Sequence, residues 1–283
     1  MIAAADGALG YLDAVVLGVV EGLTELLPVS STGHLTVAEG LLGLPVDSRP
    51  VTAFTAIIQF GAIVATLIYF RTDIVRLAVA WCRGLRSAEA RQQQDYRFAW
   101  FVLAGSAPIV VVALLAEPLI SGPLRNLWVV AAALVLWSAV MWWAERNASQ
   151  QLQEEDLSLR QVVTIGLVQC VALIPGVSRS GATISAGLLL GADRVAATRL
   201  SFFLAIPALT GAGLYELKEV DTAVVGWGPL LTGVLVSFVV AYASIAWLLQ
   251  FVAKHPITVF IGYRIAAGAA VALLLATGVL SAT

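Results

Sequence analysis

Glu21 and Glu25 stand four residues apart, just ahead of a hydroxyl-rich turn that ends in a histidine: Leu27, Pro28, Val29, Ser30, Ser31, Thr32, Gly33, His34. On a helix the two carboxylates share one face. At that range they repel unless a cation or a shared proton lies between them. Mg²⁺ or Ca²⁺, held by one or two carboxylates and by phosphate oxygens, satisfies that condition. A plainer arrangement also does, with one carboxylate paired to Arg179 or Arg264 and the other facing water. Ser30 or Ser31 is placed to attack phosphorus, with His34 or a glutamate as base. His34 is equally placed to be the nucleophile itself, or the acid for a leaving group. Serines at a helix start ordinarily act as caps; here the neighbouring histidine and carboxylates turn the reading toward chemistry.

A second run carries Pro175, Gly176, Val177, Ser178, Arg179, Ser180, Gly181 and Thr183. An arginine among three hydroxyls at a glycine-rich helix start reads as a phosphate clamp, because guanidinium matches phosphate bidentately and the helix start offers N–H groups. Arg179 can also serve as counter-ion to Glu21 or Glu25. Ser178, Ser180 and Thr183 join it as substrate-binding residues. Gln169 is expected to hold a hydroxyl or backbone group, and Gln59 to touch the site from mid-span. Arg264, in FIGYRIAAG, lines the same cavity or forms a structural salt bridge, the latter being the simpler expectation. His255, beside Lys254, reads as surface.

These residues must be positioned by membrane elements. Of 283 residues, 60% are hydrophobic and 12% charged, with a mean hydropathy of +0.92; a soluble domain carries about 25% charged residues. The chain is therefore expected to be an all-α polytopic membrane protein, and no basic surface suited to nucleic acid is expected. Cys82 in a polar loop and Cys170 in an apolar segment make neither a disulfide nor a zinc pattern. The N-terminus has Asp6 and Asp13 in place of the basic region of a secretory signal and is kept as part of the fold.

Six segments are long enough to cross the hydrocarbon core, which needs about 20 helical residues: roughly 50–70, 97–117, 126–146, 197–217, 227–252 and 257–280. Two further pieces, 10–43 and 159–191, are each broken at the centre by Pro, Gly and Ser, and read as re-entrant helical hairpins. A shift of 148 residues places Gly18 on Gly166, Val29 on Val177, Ser30 on Ser178, Gly33 on Gly181, Gly43 on Gly191 and Glu21 on Gln169. Three spans separate the hairpins, so the second is inverted relative to the first. One membrane domain of two repeats is expected, about 10–146 and about 159–280. Arg71, Arg76, Arg83, Arg86, Arg91 and Arg97 place the loop after the first full span in the cytoplasm. Arg146, Arg160, Arg194, Arg199 and Lys254 then fall on the same side, and only Arg49, Arg125 and Lys218 fall outside. Both termini and the mouth of the first hairpin face outward.

EGLTELLPVSSTGH at 21–34 resembles the Glu-x-x-x-Glu signature of the undecaprenyl-diphosphate phosphatases of the bacitracin-resistance type, and PGVSRSGAT at 175–183 resembles that family's PGxSRSxxT motif. The resemblance covers nearly the whole chain, including AIIQFGAIVA and RLSFFLAIPA. It implies hydrolysis of undecaprenyl diphosphate, a polyprenyl diphosphate lipid, to the monophosphate and inorganic phosphate, with a divalent cation (Mg²⁺ or Ca²⁺) assisting. That reaction recycles the lipid carrier of peptidoglycan synthesis in the bacterial inner membrane, and confers resistance to bacitracin, which sequesters the same diphosphate. Carried over by position, Glu21, Glu25, Ser30, Ser31, His34, Ser178, Arg179 and Thr183 form the site. Thr55 stands where an acidic residue is expected, so no role passes to residue 55. Leu173 stands where a perfect repeat places a carboxylate, so the acidic half belongs to the outward-opening hairpin and the chemistry to the outer leaflet. A homodimer is compatible with the sequence. The rival reading is a transporter or flippase of an anionic lipid or small anion, since inverted repeats with broken helices are transporter architecture. The lipid phosphatases with paired catalytic histidines need a second histidine, and only His34 is suitably placed.

Overall fold

Pro28 and Pro175 each interrupt a helical run, because proline lacks the amide N–H and pushes the residue before it out of the helical region. In the computed structural model, which describes residues 9–45, 48–120, 122–124, 126–216 and 226–282 (of Arg49, Tyr215 and Glu216 only the backbone), both breaks sit between two short helices. Asp6, Arg125, Lys218 and the Arg49 side chain, used above to read the N-terminus and the charge asymmetry, lie outside the described residues. Helix α1 (Tyr11–Thr24) and α2 (Ser31–Leu41) flank the first break. Helix α7 (Leu159–Gln169), continued by a 3-10 turn over Cys170–Leu173, and α8 (Arg179–Leu189) flank the second.

The 148-residue shift holds in the backbone. It maps the first residues of α1 and α2 onto those of α7 and α8, and the last residue of α2 onto that of α8. Ser30 and Ser178, the residues before α2 and α8, both have positive φ, 76° and 78°, and Gly43 and Gly191 past their ends have 72° and 96°. A serine in that region is uncommon and needs surroundings that hold it there.

The other helices are α3 (Arg49–Tyr69), α4 (Arg71–Arg86), α5 (Gln94–Ile120), α6 (Leu127–Asn147), α9 (Arg194–Glu216), α10 (Trp227–Val252) and α11 (Val259–Ala276). Among the described residues the chain is all-helical apart from one isolated bridge, Leu152 to Ala192. Six helices, α3, α5, α6, α9, α10 and α11, are long and apolar enough to cross a membrane. Pro108, Pro118 and Pro207 lie inside α5 and α9; neighbouring helices re-satisfy such interruptions, and Ser106 donates to the Leu204 carbonyl in the turn before Pro207 at 3.3 Å.

The segment after α3, expected as a polar loop, is instead the helix α4, and Cys82 is exposed on it. The helix is amphipathic: Leu77, Ala80 and Gly84 are buried, while Arg71, Arg76, Arg83 and Arg86 are exposed. Arg76 pairs with Asp73 at 3.1 Å and with Asp95 of α5 at 3.0 Å.

Packing crosses between the halves. Helix α1 lies on α10, and α7 lies on α5. The crossings are made by glycine: Gly18 meets the backbone of Gly233, and its counterpart Gly166 meets that of Gly105, each so close that a Cβ would collide. Small residues at contacts let membrane helices gain van der Waals packing where lipid gives no hydrophobic drive. The largest apolar cluster, through Leu26, Ile165, Ile184, Phe202 and Ile245, also draws on both halves.

Candidate active site

Glu25 is the residue on which the two breaks converge. It caps the C-terminus of α1, and its side chain is 5% exposed. Ser31, first residue of α2, donates its hydroxyl to Glu25 Oε2 at 2.6 Å. Arg179, first residue of α8, donates Nη2 to Glu25 Oε1 at 3.1 Å. Two helix N-termini thus meet one carboxylate, and helix N-termini are ready-made anion sites. Arg179 Nη1 is anchored on the Ser201 carbonyl of α9 at 3.3 Å, while Arg179 Nε is buried without a hydrogen-bond partner among the described residues.

Hydroxyls stitch the breaks together. Gly176 N–H donates to Ser30 Oγ at 3.1 Å. Gly181 N–H donates to Ser178 Oγ at 3.1 Å, Ser178 and Ser180 share a hydrogen bond at 3.2 Å, and Ser180 donates to the Leu27 carbonyl at 2.9 Å. Thr183 Oγ1 lies 2.7 Å from Ser201 Oγ and 2.9 Å from the Arg179 carbonyl. Ser178, Ser180 and Thr183 therefore spend their hydrogen bonds inside the protein in this structure.

Arg264 of α11 is fully buried, and its partner is not the carboxylate expected above. It donates Nη1 to the Pro28 carbonyl at 3.0 Å, Nη2 to the Gly176 and Val177 carbonyls at 2.9 and 3.2 Å, and Nε to Ser138 Oγ at 3.2 Å. Carbonyls left without a helical partner at the breaks need donors, and a guanidinium with five N–H groups serves several at once. The expected salt bridge gives way to a clamp across both breaks, with its positive charge left uncancelled by any ion pair among the described residues.

His34 sits three residues after Ser31 on α2, so the two share a helix face. Its Nδ1 is 2.7 Å from the Ser30 carbonyl and its Nε2 is 2.6 Å from the hydroxyl of Tyr263, whose ring is stacked on it at 5.5 Å between centroids. A carbonyl only accepts, so Nδ1 carries the proton.

Glu21 is 1% exposed, and its Oε1 has no hydrogen-bond partner among the described residues. Gln169 at the matching position is fully buried, and neither of its side-chain polar atoms has a hydrogen-bond partner among the described residues. It does not hold the hydroxyl or backbone group expected of it. Gln59 is half-buried on α3 and makes no hydrogen bond to the residues above. His255 is exposed and stacks on Phe251 at 4.5 Å. Tyr263, Ser138 and Ser201 were not singled out in the sequence. Tyr263 is adjacent to Arg264 and Ser201 lies in RLSFFLAIPA, but no spacing marks them, since α9 and α11 are joined to the breaks only in space.

The profile of the family described as "Bacitracin resistance protein BacA" matches residues 14–270. "Undecaprenyl-diphosphatase 1" of Streptomyces coelicolor is 59% identical over 274 residues, 96% of this chain and 99% of the relative. "Undecaprenyl-diphosphatase 3" of Frankia casuarinae is 56% identical over 278 residues, 97% of this chain and 100% of the relative. "Undecaprenyl-diphosphatase" of a Mycobacterium species (strain KMS) is 46% identical over 279 residues, with the same coverage of both chains.

Proposed function

The chain belongs to the BacA bacitracin-resistance family, and from that premise we propose that it hydrolyses undecaprenyl diphosphate to undecaprenyl phosphate and inorganic phosphate. The observation that carries the reading is the Ser31–Glu25–Arg179 line: a hydroxyl on a buried carboxylate, itself held by a guanidinium with a donor to spare. A carrier of anions has use for the arginine and the helix starts, but none for a hydroxyl already bonded to a base.

In this reading the diphosphate lies between the starts of α2 and α8, with the prenyl tail in lipid. Arg179 Nε and the uncancelled charge of Arg264 offset the charge gathering on the terminal phosphate. Ser31 Oγ attacks that phosphorus in line, its proton passing to Glu25 Oε2, and the P–O bond to the lipid monophosphate breaks. Water then attacks the phosphoserine, its proton passing to His34 Nε2, and phosphate leaves with Ser31 restored. Such transfer rests on positioning and electrostatics. Ser30 is disfavoured as nucleophile because its oxygen already accepts the Gly176 N–H.

Glu21 and Glu25 suit a divalent cation. Glu21 keeps a buried oxygen free while both oxygens of Glu25 are engaged, and no cluster of three His, Cys, Asp or Glu exists among the described residues. Few protein ligands plus substrate oxygens is what Mg²⁺ prefers; the ion would supply charge neutralisation to the diphosphate.

The two broken helices are re-entrant hairpins of an inverted repeat. The 148-residue correspondence of helix starts, positive-φ serines and glycine crossings supports this. The arginines of α4 mark its side as cytoplasmic, which puts the termini and the Ser31 end outside, in a bacterial inner membrane.

The test is release of phosphate from undecaprenyl or farnesyl diphosphate by the purified protein, with and without Mg²⁺ or Ca²⁺, against Arg179→Ala. Cation-dependent release lost in the variant is expected. No release under any cation would overturn the reading and make anion flux in liposomes the next measurement.

A further inference from the structure

Nothing in the reaction above uses Tyr263, yet this side chain makes the shortest hydrogen bond to His34. It belongs to the last helix, 229 positions along the chain from His34, and is half exposed. Its ring lies almost parallel to the imidazole, 10° between planes. Among the described residues the two ring nitrogens of His34 have one partner each, the Ser30 carbonyl on Nδ1 and the Tyr263 hydroxyl on Nε2. Arg264 is committed to the carbonyls of the breaks, and Glu25 to Arg179 and Ser31.

We infer that Tyr263 is a positioning residue for His34. In the neutral imidazole Nδ1 carries the proton, because the Ser30 carbonyl can only accept, so the Nε2 lone pair receives the Tyr263 O–H. The phenol thereby fixes the rotation of the ring about its side chain and keeps Nε2 an acceptor aimed along one direction until water takes its place. A ring held by Nδ1 alone can pivot about that single bond, and a general base must sit within hydrogen-bond reach of the proton it takes. The stacking face and the hydroxyl are separable: phenylalanine keeps the first and removes the second. The kinetic part of the inference rests on the phosphatase reading; the hydrogen bond does not.

The experiment uses the full-length protein with His255→Gln, which leaves His34 as the single imidazole of a chain with two histidines. With ¹⁵N-histidine the parent should show a protonated, pyrrole-type Nδ1 and a pyridine-type Nε2 displaced upfield by an accepted hydrogen bond. Tyr263→Phe should move Nε2 downfield and leave Nδ1 in place. It should also lower kcat about five- to tenfold with KM within about twofold, the loss expected of one hydrogen bond of ordinary net strength. Purely structural packing would leave the Nε2 resonance unmoved. An unmoved resonance, or a moved resonance with unchanged kcat, overturns the inference. If Tyr263→Phe does not fold, 3-fluorotyrosine at all six tyrosines provides a more acidic phenol on the native fold. Nε2 should then move further upfield, and no movement overturns the bond. Failure of the parent to release phosphate is a separate result, against the phosphatase reading, because the resonance needs no turnover.

Discussion

The hydroxyl oxygen of Ser30 accepts the amide N–H of Gly176 at 3.1 Å, so the two helix breaks, far apart in sequence, are joined where each backbone leaves helical geometry. This separates the two adjacent serines. Ser30→Ala leaves a buried N–H unpaired, a cost of about 1–3 kcal/mol; the variant should melt lower while keeping measurable phosphate release. Ser31→Ala takes the donor from Glu25 Oε2, so it too should melt lower by a similar margin, but it should lose at least about a thousandfold in turnover. Thermal melts in detergent and phosphate release on both variants decide it, and the reverse pattern would make Ser30 the nucleophile.

Arg264 should matter more to stability than any other buried polar residue here. In Arg264→Met the carbonyls of Pro28, Gly176 and Val177 lose a donor, and each buried carbonyl left unpaired costs about 1–3 kcal/mol. A fall in melting temperature of roughly 10 °C or more follows for a chain of this size. Arg264→Lys should recover only part of it, since a point-like ammonium cannot span acceptors on both breaks. A melt unchanged in Arg264→Met would mean that the clamp is not needed to hold the breaks.

Glu21 and Glu25 should separate on substitution. Glu25→Gln breaks a pair whose partner is nearly buried, and removing one member of such a pair costs about 3–5 kcal/mol; both stability and turnover should fall. Glu21→Gln loses no hydrogen bond to the described residues at Oε1, so its melt should hold. The cation concentration for half-maximal activity should rise about 10- to 100-fold or more. A cation titration of each variant measures this, and an unaltered titration in Glu21→Gln would remove it from the cation site.

Gly166→Ala should destabilise the crossing of α7 with α5, because the new methyl meets the Gly105 backbone, which has no rotamer to relieve it. Overpacking of this kind costs about 1–3 kcal/mol. Gly262→Ala, with nothing near its Cβ position in α11, is the control and should be neutral or slightly stabilising. Melts of the two variants side by side provide the check.

The spans, the two breaks and the residues at them were legible in the sequence. Long apolar runs report lipid burial residue by residue, and proline and glycine act on the backbone wherever they stand. Glu21, Glu25, His34 and Arg179 stood out in the sequence for the same local reason, since ionisable groups inside apolar runs are costly; Ser31 stood out only as part of the hydroxyl-rich turn beside them. The partners were not. Arg264 promised a carboxylate and found carbonyls, because a carbonyl's need for a donor arises only once Pro28 and Pro175 have bent the chain. Gln169, a near-isostere of Glu21 at the matching position, has no side-chain hydrogen bond among the described residues. The loop after α3 became α4 because the arginines that make it polar are spaced to leave an apolar face, and a net count of charges hides that spacing. Tyr263 carried no signal at all. Its bond to His34 exists because α11 packs against α6 and delivers the last helix to the breaks, and hydrogen bonds between side chains are decided by such tertiary placement at ångström scale, while burial and backbone preference are written position by position along the chain.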